Sequence, residues 1–393
     1  MSHKANGSHH HHRHHPRAES AGLNRRGFAL ACSASAIWAS LVANAAAQTP
    51  VPPPDFGGGD LARRMREAAG AFLDSLDETS RKAVAFPIAS NDRATWSNLP
   101  VGLTARVGVS VGALNDASRR RVHALLRAST SSQGYLKMAE IMRHDELLRA
   151  FELDYLQHNP PRPRAGRAAV ESMGSGNYWI ALFGDPRADT DWAWLLTGHH
   201  LGASFTCVGA QVVAAPLFLG SSPVEELSGL NAGLSALGHE ALRGFELARS
   251  LSPLQAKAAV LSSDPVFSDV LSGIGRRNSL ARFEGIPASE LDAPQQRLLR
   301  ALVGEYVGNA DGEATDRHLE AIEKAGWDKL HFSWRGRVDA LDSPFYYRVH
   351  GPRLIIEFAV QEPNHFHTIM RDPVNDYGVD WLGLHYEEHT GRD

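Results

Sequence analysis

Leu354-Ile355-Ile356-Glu357-Phe358-Ala359-Val360, then Gln361-Glu362-Pro363-Asn364, then His365-Phe366-His367-Thr368-Ile369-Met370, reads as two strands joined by a tight turn. With β-like runs at 330–338 and 345–349, it makes the last quarter of the chain a sheet. A second β-rich block covers 178–183, 192–197 and 201–215, with Gly and Asp-Pro breaks between the runs. Helical patterns fill the rest. Leu61, Met65, Ala68, Ala69, Phe72, Leu73 and Leu76 form an apolar stripe. Asn115 or Asp116 caps a helix through Leu125-Leu126, and Gly134 separates it from one carrying Met138, Ile141 and Met142. Further helices are expected near 235–250, 253–261, 289–307 and 312–325, and residues 101–111 alternate loosely as a strand. There is no internal repeat and no clear linker after residue 60. The expectation is a single large α+β domain over 61–393, with an antiparallel or mixed sheet covered by helices.

The composition excludes several classes. Of 393 residues, 43% are hydrophobic and 21% charged, so the chain as a whole is not disordered. The balance of 40 basic against 44 acidic residues provides no electrostatic drive toward nucleic acid. Two cysteines, Cys32 and Cys207, cannot form a disulfide framework. There is no phosphate-binding Gly-rich loop and no C-x-x-C.

Residues 1–47 read as an address. Arg25-Arg26 precedes Gly27-Phe28, an apolar stretch holding Ile37, Trp38 and Leu41 follows, and Ala45-Ala46-Ala47 gives an A-x-A-like cleavage site. This resembles a twin-arginine export signal, which implies a bacterial cell, the twin-arginine translocase as partner during export, and a periplasmic or secreted protein cut near Ala47. Ser33, Ser35 and Ser40 interrupt the apolar run, which argues against stable membrane insertion. The His9 to His12 run, with His14 and His15, precedes the signal and is excluded from site reasoning. Without Lys4, Arg13, Arg17, Glu19, Arg25 and Arg26, 35 basic residues face 43 acidic ones, a charge of −8. Residues 48–60 form a Pro/Gly linker.

Candidate metal ligands come from the thirteen remaining histidines. His199-His200 lies between two β-like runs, and His365 and His367 form an H-x-H whose side chains share one face of a strand about 7 Å apart. Two successive strand residues point to opposite faces, so only one of His199 and His200 joins the pair unless Gly198 sets them on a turn. Glu357 interrupts an apolar run, so it is at least half buried and needs a cation, an arginine or a metal. A three-residue loop pairs 357 with 369 and puts Glu357 on the histidine face; a four-residue loop puts Phe358 there, and a salt bridge to Arg348 or Arg353 is the alternative.

Arg371, Asp372, Asn375 and Asp376, punctuated by Pro373 and Gly378, form a loop that with His385 offers a general acid or base or an anion clamp; the same residues are ordinary turn chemistry. Trp192, Trp194, Trp334, Tyr347 and Tyr377 are candidates to line a substrate pocket, against the plainer reading of the paired tryptophans as core. Gly108-Val109-Ser110-Val111-Gly112 matches G-x-S-x-G, but the chain lacks the strand-helix alternation that a nucleophile elbow needs. Cys207, in an apolar run, reads as a core thiol. Residues 156–177, with Pro160, Pro161 and Pro163, read as an exposed loop or a lid.

Further motifs carry a family resemblance from Trp96 to Tyr386. They are Gln133-Gly134-Tyr135, Phe183-Gly184-Asp185-Pro186, Trp192-Ala193-Trp194, Gly198-His199-His200-Leu201, Phe332-Ser333-Trp334-Arg335-Gly336, Tyr346-Tyr347-Arg348-Val349-His350-Gly351-Pro352, and the stretch from Asn364-His365-Phe366-His367 through Asp376-Tyr377-Gly378 to His385-Tyr386. With these the chain resembles the domain of unknown function 3500 family, found in bacterial and fungal proteins. That resemblance implies no reaction, and Ser110 is outside its pattern. The residues themselves point to an exported enzyme acting on a small molecule through a divalent zinc, iron or copper ion. In this reading the ligands are His365, His367 and one of His199 and His200, with Glu357 or Asp376 as fourth ligand or general base and Arg371 orienting an anionic group. Hydrolysis is favoured over iron or copper redox chemistry on the same site, and a non-catalytic binding protein is the competing class.

Overall fold

The computed structural model describes residues 61–159, 164–188, 190–264, 269–276, 278–380 and 382–383. Among them the helices are α1 (Leu61–Asp74), α2 (Glu78–Val84), α3 (Asp116–Ser129), α4 (Ser132–His158), α5 (Arg164–Glu171), α6 (Gly238–Ser250), α7 (Pro253–Ala259), α8 (Ala293–Val307) and α9 (Gly312–Ala325). Their starts follow local chemistry. Asn115 accepts from Ser118 N and Ser131 from Gly134 N, while α7 and α8 open on the capping boxes Ser252/Gln255 and Asp292/Gln295, each with a proline in the first turn. Gly134 therefore lies inside α4 and does not end a helix. No described helix is long and apolar enough to cross a membrane.

The strands are β1 (Ala85–Phe86), β2 (Val109–Ser110), β3 (Trp179–Phe183), β4 (Trp192–Gly198), β5 (Leu201–Val208), β6 (Gln211–Val213), β7 (Leu217–Ser221), β8 (Val260–Ser262), β9 (Ile286–Pro287), β10 (His331–Gly336), β11 (Phe345–Gly351), β12 (Leu354–Glu362) and β13 (His365–Arg371). All join one open sheet in the order β1-β3-β4-β5-β7-β13-β12-β11-β10-β8, with β2 on β3, β6 on β5 and β9 on β10. Among the described residues, only β1 with β3 and β8 with β10 run parallel. The chain is thus a single α+β domain with a mixed sheet. The 101–111 run contributes only β2, the 201–215 run splits into β5 and β6, and β7 was not foreseen. Of the described residues in 156–177, 156–158 and 164–171 are helical, in α4 and α5; Pro160, Pro161 and Pro163 lie outside the described residues.

The central strands are buried on both faces, so their sequences do not alternate with polar residues. One face packs on the helices. Leu354, Ile356, Phe358 and Val360 join Met138 and Ile141 of α4 and Leu299 and Val303 of α8 in one cluster. An aromatic layer runs through it, with Trp334 stacked on Phe345 at 4.6 Å and Tyr347 on Phe358 at 5.1 Å, contacts worth about 0.5–1.5 kcal/mol each beyond their burial. The helices were expected to cover the sheet generally. The other face instead carries a smaller cluster built on irregular chain around Trp96, Val270 and Tyr377.

His350 of β11 is 4% exposed, and burial, then the Arg348 charge, holds its pKa down at about 4. An unfolded chain binds this proton near pH 6.5, whereas the folded chain does not until about pH 4, so folding opposes protonation between those values. The contribution is nil above pH 6.5 and grows more destabilising as pH falls toward 4. Thermal melts should show Tm falling over that window, and His350→Phe should flatten the fall; an unchanged slope would show that His350 is not neutral in the fold.

Candidate metal centre

β4 and β5 are joined by a two-residue turn, His199-His200, with Gly198 paired to Leu201. His200 sits at φ 63°, a left-handed conformation that a non-glycine residue adopts only where its surroundings hold it. They do: His200 N donates to Asn98 O, His200 O accepts from Gly220 N, and His199 O accepts from Tyr178 Oη. β7 lies between β5 and β13, and Gly220 pairs directly with His367. A Cβ at Gly220 would lie 2.9 Å from His367 Cδ2 and 3.2 Å from His200 Cδ2, so glycine lets both rings close over this strand.

One ring nitrogen from each of His200, His365 and His367 lies within 4.8 Å of the other two. His365 Nε2 stands 3.1 Å from His200 Nε2 and 3.1 Å from His367 Nε2. The rings are steeply inclined to each other, at 71°, 62° and 77°, like blades around a common point. Burial, then the neighbouring imidazoles, pushes His365 down to about 3 and His200 well below its ordinary value, so both rings are neutral and each can offer one nitrogen to a cation. Behind the ring of His367, Nδ1 meets Asp269 Oδ1 at 2.8 Å, which fixes the proton on Nδ1 and leaves Nε2 as a donor to a cation. The set fits a divalent ion: nitrogens bound tetrahedrally at about 2.0–2.1 Å lie about 3.3 Å apart. His200 and His367 are buried and His365 is half-buried, so the approach is over His365.

His199 is not part of this trio. Its ring stacks on His200 at 3.8 Å, and its Nδ1 lies 2.5 Å from Asp145 Oδ1 of α4. Asp145 is itself held by Gly174 N on its other oxygen at 2.6 Å. The adjacent histidines thus form two layers, one facing the centre and one tied to a carboxylate behind it.

The carboxylate expected as fourth ligand or general base is elsewhere. The β12–β13 turn is the two-residue Pro363-Asn364, and a bulge beside Gln361 restores the register that pairs Glu357 with Ile369, on the histidine face. Yet both Glu357 oxygens are saturated: Oε1 accepts from Ser272 N at 2.7 Å and from Ser272 Oγ, Oε2 from Leu271 N at 2.7 Å and Tyr346 Oη at 2.6 Å. Arg348 pairs with Glu284, and Arg353 with Asp372. Arg371 spans Ser272 O, Gly273 O and Asp376 Oδ2, so no donor is directed at a substrate anion. Asp372 also accepts from Val374 N and Asn375 N, and Asp376 from Asp372 N, which is turn chemistry. These residues pin segment 270–273, and with it Asp269, against the sheet.

The five aromatics expected around a substrate are packed in the fold. Trp192, Trp194, Trp334 and Tyr347 are fully buried in the helical-face cluster, and Tyr377 lies in the opposite one, its hydroxyl accepting from Trp96 Nε1. Ser110 Oγ donates to Gly176 O at 2.8 Å and has no histidine partner among the described residues. The Cys207 thiol, fully buried, is pushed up to about 12. His385 lies outside the described residues. Asp145 and Asp269 were missed. Asp145 left a signal, since it continues the buried spacing of Met138, Ile141 and Met142; Asp269 left none.

A family model described as Protein of unknown function (DUF3500) matches residues 59–379. The chain belongs to that family. No curated protein and no solved structure matches it. The DUF3500 region holds all three converging histidines and both supporting aspartates, and it ends before His385. Glu357→Ala should therefore cost stability, at least about 4 kcal/mol for four orphaned donors, while the folded chain keeps its metal, held more weakly as Asp269 loosens. Metal lost from a variant of wild-type stability would put Glu357 in the centre instead.

Proposed function

We propose that the chain is an exported metal-dependent enzyme that binds a divalent ion on Nε2 of His200, His365 and His367 and hydrolyses a small-molecule ester or amide. The observation that carries this reading is the convergence of three imidazole nitrogens, one ring backed by a carboxylate. When bound with an open fourth position, such an ion lowers the pKa of a water to about 7 and supplies a nucleophile near neutral pH. The protein's own groups do the rest. Asp269 holds His367 in the donor tautomer. The half-buried His365 leaves one side open to substrate. His199, oriented by Asp145, stands beside His200 as the group that takes or returns a proton. An all-imidazole donor set also suits copper, so the identity of the bound metal chooses between hydrolytic and redox chemistry.

In the full-length protein, the double variant His365→Ala/His367→Ala should hold one metal equivalent fewer than wild type after dialysis. The comparison cancels any metal taken by the leader histidines. Equal metal content in the two would overturn the site. Asp145→Asn should retain the metal and slow hydrolysis of p-nitrophenyl acetate on the order of a hundredfold.

Export is part of the proposal, with the twin-arginine translocase as transient partner and residues 1–47 removed; these residues lie outside the described part of the structure. N-terminal sequencing of the exported protein should begin at Gln48, and an intact Met1 in that fraction would count against it.

A further inference from the structure

A second group of ligand atoms meets where Glu140 and His144 of α4 approach Glu226. Glu140 Oε2 and Glu226 Oε1 each lie 3.8 Å from Nε2 of His144, and the three form one cluster. His144 is fully buried, and its Nε2 has no hydrogen-bond partner. The protonation of this ring follows from its neighbours. Ser221 Oγ donates its single hydrogen to Pro223 O at 2.7 Å, so it can only accept from His144 Nδ1, 3.1 Å away. The proton of neutral His144 is therefore on Nδ1, and Nε2 presents a lone pair to two carboxylate oxygens. A cation between the three would satisfy this nitrogen and both carboxylates at once.

Arg143 meets part of that requirement. Its Nη2 bonds the same two oxygens, Glu140 Oε2 at 2.6 Å and Glu226 Oε1, but it does not reach His144 Nε2. The Arg143 side chain is 34% exposed, whereas His144 is fully buried. We propose that Glu140, His144 and Glu226 form a second divalent-cation site, distinct from the three-histidine centre, where Arg143 stands in for the metal and swings out when it binds. Two carboxylates and one imidazole suit manganese, iron or zinc and disfavour calcium, which takes oxygen ligands throughout.

The site is placed to act on the first one. Glu226 follows Glu225, whose backbone N–H donates to Asn364 Oδ1 at 2.7 Å and whose carbonyl accepts from Asn364 Nδ2 at 2.9 Å. Asn364, at φ 65°, immediately precedes His365. A cation joining α4 to Glu226 would therefore tether the chain that sets the entry to the H-x-H.

The test is a titration of the full-length protein with Mn2+, followed by the loss of the free-ion EPR signal. Wild type should bind one Mn2+ that His365→Ala/His367→Ala retains. Glu226→Gln and, as a second variant, Glu140→Gln should weaken it at least tenfold with thermal melts that report a folded chain. Arg143→Gln should tighten it. Unchanged Mn2+ binding in both carboxamide variants, or none in wild type and in Arg143→Gln alike, would overturn the proposal. Loss of Mn2+ only in the double histidine variant would assign the ion to the first centre, and the proposal would fail with that centre intact.

Discussion

The close approach of two imidazoles over the backbone of Gly220 is the contact on which the candidate centre depends. Hydrogen bonds tie β7 to β5 on one side and to β13 on the other, so Gly220 lies between the His200 turn and His367. Any side chain there would meet both rings. The left-handed backbone of His200 completes the arrangement, turning one histidine of an adjacent pair inward while the other stacks behind it. Such backbone conformations persist where packing on all sides holds them, and the ladder around this turn does so.

A second layer of polar groups supports that geometry from within the core. Asp376 holds Arg371, Arg371 holds two carbonyls of segment 270–273, and Glu357 takes two amides of the same segment. Asp269 directly precedes that segment and pairs with His367. Buried charges are tolerated because each one is matched by donors or acceptors, and their cost is repaid in the fixed position of one carboxylate. The residues that drew attention as catalytic candidates thus serve the site at one remove.

Much of the fold could be read in advance. The runs that became β10 to β13, the stripe of α1 and the capped start of α3 depend on neighbours in sequence, and they appear where periodicity and capping chemistry put them. β7 escaped notice because Leu217-Phe218-Leu219-Gly220-Ser221 is short and contains a glycine, which weakens a strand signal. The role of Glu357 also escaped, since an acidic residue inside an apolar run signals burial and a partner but not which partner. Trp192, Trp194, Trp334 and Tyr347 illustrate the same limit: aromatic content is visible, but whether a ring faces a pocket or a core depends on what crosses above it.

By itself, the sequence determined the α+β class, the order of most elements and the H-x-H spacing that puts His365 and His367 on one face. These follow from the two-residue period of a strand and the 3.6-residue period of a helix, which act over a few neighbours. Only the tertiary structure decided that His200 and not His199 joins them, that Asp145 and Asp269 stand behind the rings, and that Glu140, His144 and Glu226 meet. Those facts rest on strand order and on contacts across more than fifty residues of chain, such as Asp145 with His199 and Asp269 with His367. Side chains that distant are brought together only when the whole sheet closes its ladder, and no local pattern encodes that closure.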